Sequence, residues 1–171
     1  MLMWYFSPNF CERLSVGTLL IILHVLTAVL FLGPVTVAVS SFQSRAIEAH
    51  NGNATAKGSA LTLYKITQTY GMLSLLVPLI GFAVMFTNDS YWSDGRYHAS
   101  IALAVVAWAI LIFLIMPRQK KLAGALGLLE ADELETGNFE IADWNKAKSL
   151  LSMFGGIFSL LWVIIAVLMV L

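Results

Sequence analysis

Four long stretches of this chain contain no Asp, Glu, Lys or Arg, and every charged residue lies between or outside them. At roughly 1.5 Å rise per residue, each is long enough to cross a hydrocarbon layer about 30 Å thick. Lipid offers the backbone no hydrogen bonds, so such segments are helices unless they close into a barrel. Barrel strands are about ten residues of alternating polarity, which these runs do not show. The predicted spans are 14–42, 66–88, 99–116 and 149–171.

The composition supports a single integral membrane domain covering residues 1–171. The chain is 59% hydrophobic and 12% charged, about half the charged fraction of a typical soluble domain. We therefore expect an all-α fold, a bundle of four transmembrane helices. The formal net charge is zero, which gives no reason to expect a nucleic-acid partner. The single cysteine, Cys11, cannot form an internal disulfide, and no Cys/His pattern predicts a metal or another cofactor.

Basic residues are distributed unevenly between the two sides of the predicted bundle. By the positive-inside rule, the first and third loops face the cytoplasm, and both termini face outward. The opening segment lacks a basic region before its apolar residues, so we expect a retained helix rather than a signal peptide. Trp4, Tyr5 and Phe6 fit the aromatic layer at a bilayer surface. Two basic residues, Arg13 and Arg96, lie outside, against eight inside: Arg45, Lys57, Lys65, Arg118, Lys120, Lys121, Lys146 and Lys148.

The connection 117–148 is the largest segment predicted to lie outside the membrane. Pro117 is expected to end the third span, and an acidic run over 130–135 precedes a turn at Gly137 and Asn138. A second short helix over about 139–148 would then lead into the fourth span. The sequence thus predicts a cytoplasmic helical hairpin between helices 3 and 4. It is either a solvated structure lying on the inner surface or a docking surface for a partner.

His24 is the only titratable residue well inside a predicted span. A proton pump or ion-coupled transporter needs ionisable groups at membrane depth, and one histidine without a carboxylate is a poor relay. Haem b held between helices needs two histidines at one depth, whereas His98 and His50 lie at the two ends of the predicted bundle. We expect His24 to hydrogen-bond a neighbouring helix, and contact with a cofactor is the open alternative.

Small residues recur at helical spacing in the second and fourth spans. Such faces allow helix backbones to approach closely in lipid, where no hydrophobic effect drives helices together. They predict packing within the bundle or against another membrane subunit. No nucleophile and base, paired carboxylates or phosphate-binding loop is visible, so we predict no enzymatic activity. The small residues singled out are Gly71, Ser74, Gly81, Ser152, Gly155, Gly156 and Ser159.

The stretch LHVLTAVLFLGPVTVAVSSF, with its histidine nine residues before a glycine, is similar to the opening helix of a bacterial family of four-helix membrane proteins of unknown function. That family is loosely like the copper-resistance-D membrane module. The resemblance extends weakly over the whole chain: four spans, a basic exit after the third and an acidic linker before the fourth. Proteins of this general appearance occur in actinobacteria as accessory subunits of the cytochrome bc–oxidase supercomplex.

The uncharged spans and the helix-packing surfaces together predict a non-catalytic accessory subunit. It would contact other integral membrane subunits and membrane lipids, and the resemblance implies a respiratory-chain supercomplex as its site. Two alternatives stay open. One is a haem- or copper-related membrane protein that uses His24, and the other is a small-molecule transporter.

Overall fold

The computed structural model describes residues 15–171, apart from the side chain of Thr136. It contains four helices long and apolar enough to cross a membrane, and no strand occurs within the described range. This confirms the all-α fold and the prediction of a multi-pass membrane protein. The helices are α1 (Val16–His50), α2 (Ala54–Met85), α3 (Gly95–Ala125) and α4 (Trp144–Val170). Some predictions concern residues outside the described range. These are the predictions on Trp4, Tyr5, Phe6, Cys11 and Arg13, and on residue 14, the first of the 14–42 span.

The first connection is a turn of three residues, much shorter than the apolar stretches predict. α1 and α2 continue as helices through polar sequence and meet at residues 51–53. Gly52, at φ +95°, donates its N–H to Ala49, and Asn53 donates its N–H to Glu48. This pair of hydrogen bonds is a Schellman motif, which favours glycine at the left-handed position. The Asn53 side chain then caps α2 by accepting from the N–H of Ala56.

Proline accounts for the irregularities in three of the helices. A proline has no N–H, and its ring clashes with the carbonyl four residues earlier. α1 widens into a π-helical turn over Ala28–Leu32, just before Pro34, and α3 does so over Ile110–Ile115, just before Pro117. In α2, a turn at Ser74 precedes Pro78. Pro117, predicted to end the third span, does not end the helix, because the π-helical turn accommodates the ring and α3 continues to Ala125.

The core lies toward the end of the bundle that carries most of the Lys and Arg residues, here called the basic end. There, residues 33–50 of α1 pack on both α2 and α4. At the opposite end, the first helical turns of α1 pack mainly on residues 76–85 of α2, and the last turns of α4 pack on α3. Large buried core side chains include Val39, Phe42, Leu111, Ile115, Leu151 and Phe158.

The connection between α3 and α4 contains one short helix, Ala131–Thr136. α3 ends in a second Schellman motif, in which Gly127 adopts φ +63° and Leu128 donates its N–H to Ala123. The predicted helix over 139–148 is wrong in its first half. Residues 137–143 are not helical, because Asp143 caps α4 by accepting from the N–H of Lys146, and α4 therefore begins at Trp144. The connection is one short helix followed by an irregular segment over 137–143.

Two aromatic contacts fasten this connection to the bundle. The ring of Phe139 lies against Gly124 at the end of α3 and against Gly137, so closely that a Cβ atom at either glycine would clash with it. The Trp144 ring stacks on His50 at the end of α1, with 4.0 Å between centroids and 13° between planes. Phe139 therefore holds the 126–143 segment to the end of α3, and the Trp144 stack holds the start of α4 to the end of α1.

The opposite end carries a cluster of aromatic residues, the residue type that is enriched at bilayer interfaces. Trp92, in the short helix Ser90–Ser93, packs edge-on against Phe86 with ring centroids 5.1 Å apart. Asp94 then caps α3 by accepting from the N–H of Arg96. Hydrogen bonds from the Arg96 side chain and backbone lower the pKa of the Asp94 carboxyl to about 2.

Candidate functional site

His24 makes the expected hydrogen bond to a neighbouring helix. Its Nδ1 lies 3.0 Å from the backbone carbonyl oxygen of Val77 in α2. A carbonyl oxygen can only accept, so Nδ1 carries the proton, and in the neutral ring Nε2 presents a lone pair. Metal-binding histidines are commonly oriented by this type of bond from the other ring nitrogen to a backbone carbonyl. The ring is therefore fixed in a state that could coordinate a metal or haem iron through Nε2.

Gly81 makes room for this imidazole. A Cβ atom at Gly81 would lie 2.8 Å from His24 Cε1 and 3.2 Å from Nδ1, inside the normal contact distance. The carbonyl of Val77 and the missing side chain of Gly81 lie one turn apart on α2, so together they form a seat for the ring. The small residue predicted at Gly81 thus serves a contact between two helices of the same chain.

The other histidines are far from this seat. His50 ends α1 at the basic end and stacks on Trp144, and His98 lies near Trp92 at the opposite end. Within residues 15–171, no group of three or more His, Cys, Asp or Glu side chains is arranged to hold a metal. His24 is therefore the sole ring of its type at its depth in the described bundle.

Most of the predicted small residues pack within the bundle. Gly71 faces Leu111, whose Cδ2 would lie 3.3 Å from a Cβ at that glycine. Ser74 is buried and donates its hydroxyl to the carbonyl of Gly71 at 2.6 Å. A Cβ at Gly155 would lie 3.0 Å from the carbonyl oxygen of Val39, which brings α4 close to α1. These residues serve internal packing.

Ser152 and Gly156 form a small-residue face that the bundle leaves open. Both are exposed, and a Cβ atom at Gly156 would meet nothing within 4 Å. Ser159, on the border of this face, is half-buried and donates its hydroxyl to the carbonyl of Gly155 at 2.9 Å. Ser152 and Gly156 are one turn apart and give the spacing of a small-xxx-small motif, which suits contact with another transmembrane helix. We call these two residues the open face of α4.

The outer portion of α1 has little protein around it. Of its most apolar 18-residue window, 6% is buried inside the bundle, compared with 33% for α3. Val29 and Leu30 within the π-helical turn are 67% and 58% exposed. Such surface must be covered by lipid or by another membrane protein.

A shallow cavity of about 640 Å³ lies at the basic end, between the ends of α1 and α3 and the start of α4. His50, Phe139, Glu140 and Trp144 are among the residues that line it. It mixes apolar rings with polar groups and opens away from the bundle. Its position on the 117–148 connection matches the segment that the sequence offers as a docking surface.

Comparisons of this chain with protein-family models, with curated proteins and with solved structures find no match. The family resemblance seen in the first helix therefore stays a prediction. The fold and the residues described above carry the functional argument.

Sequence reasoning missed three buried features of the bundle. The partner of His24 is a backbone carbonyl, which residue type does not reveal. The contact of Phe139 with two glycines depends on the path of the connection. Gln43 and Gln119 are buried, and the sequence gives no signal for this, because both lie in polar stretches beside charged or hydroxyl residues.

Proposed function

We propose that this protein is a non-catalytic accessory subunit that packs against a larger complex in a bacterial inner membrane. The observation that carries the proposal is the open face of α4. Gly71, Gly81 and Gly155 all meet neighbouring side chains or backbone, whereas Gly156 meets nothing. A transmembrane helix of another subunit is the partner that suits a small, shallow apolar face in lipid.

The exposed outer portion of α1 supports the same proposal. A helix with 6% of its apolar window buried has a large surface for lipid or a second subunit. The basic end would face the cytoplasm under the positive-inside rule, which places the 126–143 connection on that side. From the resemblance of the first helix, a respiratory-chain supercomplex is the complex we propose.

Co-purification tests the proposal directly. Tagged protein extracted in mild detergent should bring down other integral membrane subunits. Gly156→Ile should remove those subunits while the protein itself stays folded, because a side chain at this position meets nothing within the bundle. Ala102→Ile is the matched control, since Ala102 is a small exposed residue on α3. Recovery of the wild-type protein alone, or equal loss of subunits with both variants, would contradict the proposal.

A second candidate function is favoured by the fixed tautomer of His24. The bond from Nδ1 to Val77 leaves Nε2 able to bind haem iron or copper. Pure protein should then show a visible absorption spectrum or bound copper, and His24→Ala should abolish it. A colourless, copper-free wild-type protein would contradict this candidate and leave the accessory-subunit proposal untouched.

A further inference from the structure

Two glutamines near the basic end bury polar atoms that have no hydrogen-bond partner. Gln119 of α3 is fully buried, and neither its Oε1 nor its Nε2 is paired within the described structure. Gln43 of α1 is 4% exposed; its Nε2 donates to the carbonyl of Ser40 at 2.7 Å, and its Oε1 has no partner. Native proteins pair nearly all buried polar atoms, so an unpaired set calls for an explanation.

The two glutamines lie at nearly the same depth in the bundle. The carbonyl of Val39 on α1 packs against Gly155 of α4. The Arg118 guanidinium on α3 lies 4.8 Å from the ring centre of Phe154, the residue just before Gly155. That guanidinium also bonds to the carbonyl of Leu114, one turn before Arg118, so residues 39 and 114 are close to one level. Both α1 and α3 run toward the basic end, so Gln43 and Gln119 follow within about one turn of each other, about 5 Å along the axis.

The charged groups nearest in sequence are engaged elsewhere. Arg118 donates from Nη1 to the carbonyl of Leu114 at 2.8 Å, and Lys120 forms an ion pair with Glu133 at 2.6 Å. The glutamine amides are themselves neutral. An ion bound to these amides would have no opposite charge nearby to offset the cost of its burial. A neutral guest is therefore favoured over an ion.

We propose that Gln43 and Gln119 bind internal water between α1 and α3. The unpaired atoms are two carbonyl oxygens and one NH₂ group. A water molecule donates two hydrogen bonds and accepts one or two, which matches this set. Buried waters in proteins make about three hydrogen bonds to otherwise unpaired groups. The water joins the two helices through their amides and thereby fixes their axial register.

A double-mutant cycle in the purified full-length protein tests this site. Gln119→Leu should lower the melting temperature by about 2–4 °C, because it removes one end of the bridge and leaves Gln43 Oε1 unpaired. Gln43→Leu should cost a similar amount, and the double variant should cost less than the sum of the two. If Gln119→Leu leaves the melting temperature unchanged or raises it, no guest is bound and the proposal fails.

Ser100→Ala provides the matched control. Ser100 is also buried, at 2% exposure, with its hydroxyl unpaired, but it lies near the opposite end of α3. Combined with Gln43→Leu, it should give additive changes, because distant sites do not couple. Coupling as large as that of the glutamine pair would show general loosening of the bundle and overturn the proposal.

A structure at about 2 Å resolution or better gives a readout that does not depend on the variants. A water peak within about 2.7–3.2 Å of both amides supports the site. A direct hydrogen bond from Gln119 Nε2 to Gln43 Oε1, with no water beside either amide, overturns it.

Discussion

The seat of His24 on α2 can be tested by a single added methyl group at Gly81. In Gly81→Ala the new Cβ would lie 2.8 Å from His24 Cε1, so the ring must move away and the bond from Nδ1 to the Val77 carbonyl must lengthen or break. Interhelical hydrogen bonds in membranes contribute about 0.6 kcal/mol on average and up to about 1.7 kcal/mol. Overpacking adds about 1–3 kcal/mol.

Helix propensity acts in the opposite direction. Replacing a helical glycine by alanine gains up to about 1 kcal/mol, so the net loss for Gly81→Ala is about 1–4 kcal/mol. Gly156→Ala is the matched control, since its Cβ would meet nothing within 4 Å. In the isolated protein this control should be neutral or slightly stabilising. The difference between the two variants, about 2–5 kcal/mol, isolates the contact with the ring.

Equilibrium unfolding of the purified protein in mixed micelles measures this difference. The same pair of variants in a His24→Ala background should become equal, because the ring that Gly81 accommodates is then absent. Equal stability of Gly81→Ala and Gly156→Ala with His24 present would refute the reasoning. So would a cost of Gly81→Ala that persists without the histidine.

Three further predictions use the same unfolding assay. Gly155→Ala should destabilise by about 1–3 kcal/mol, because its Cβ would lie 3.0 Å from the Val39 carbonyl oxygen and backbone cannot easily yield; a neutral result would contradict this close approach of α4 and α1. Gly52→Ala should cost about 1 kcal/mol at φ +95°, and a stabilising effect would argue against the Schellman turn. Asp94 has its pKa lowered to about 2 by Arg96, so its stabilising effect is complete above the ordinary value of 3.8 and is lost as the pH falls through about 2. Wild-type protein should therefore lose more stability than Asp94→Asn between pH 6 and pH 2, and parallel pH profiles would contradict that ion pair.

The lipid-facing stretches of the helices could be predicted from the sequence, but their ends could not. Long stretches without charged residues must be helical in lipid. Where charged residues begin, this reasoning no longer predicts whether the helix continues. The polar stretch around Arg45 and Lys57 reads as a loop for that reason, although the helices continue to a turn of three residues at 51–53. Pro117 is predicted to end the third span, and the helix itself continues past it through a π-helical turn.

The candidate site was predictable only in part. The isolation of His24 in an apolar span is visible in the sequence, and so is the expectation of an interhelical bond. Which small residues stay open is not visible, because Gly155 and Gly156 are neighbours in the chain and differ only in the direction each faces. That difference depends on how α4 rotates against α1, which is set by the packing of all four helices.

The ring of Phe139 between two glycines has a mechanical consequence for the 126–143 connection. A segment fixed at Phe139 has only residues 140–143 free before α4 begins at Trp144. A binding partner that pulls on it would have to extract the ring from Gly124 and would strain the neighbouring stack of Trp144 on His50. Force applied to this connection would thus reach the ends of α1, α3 and α4 together.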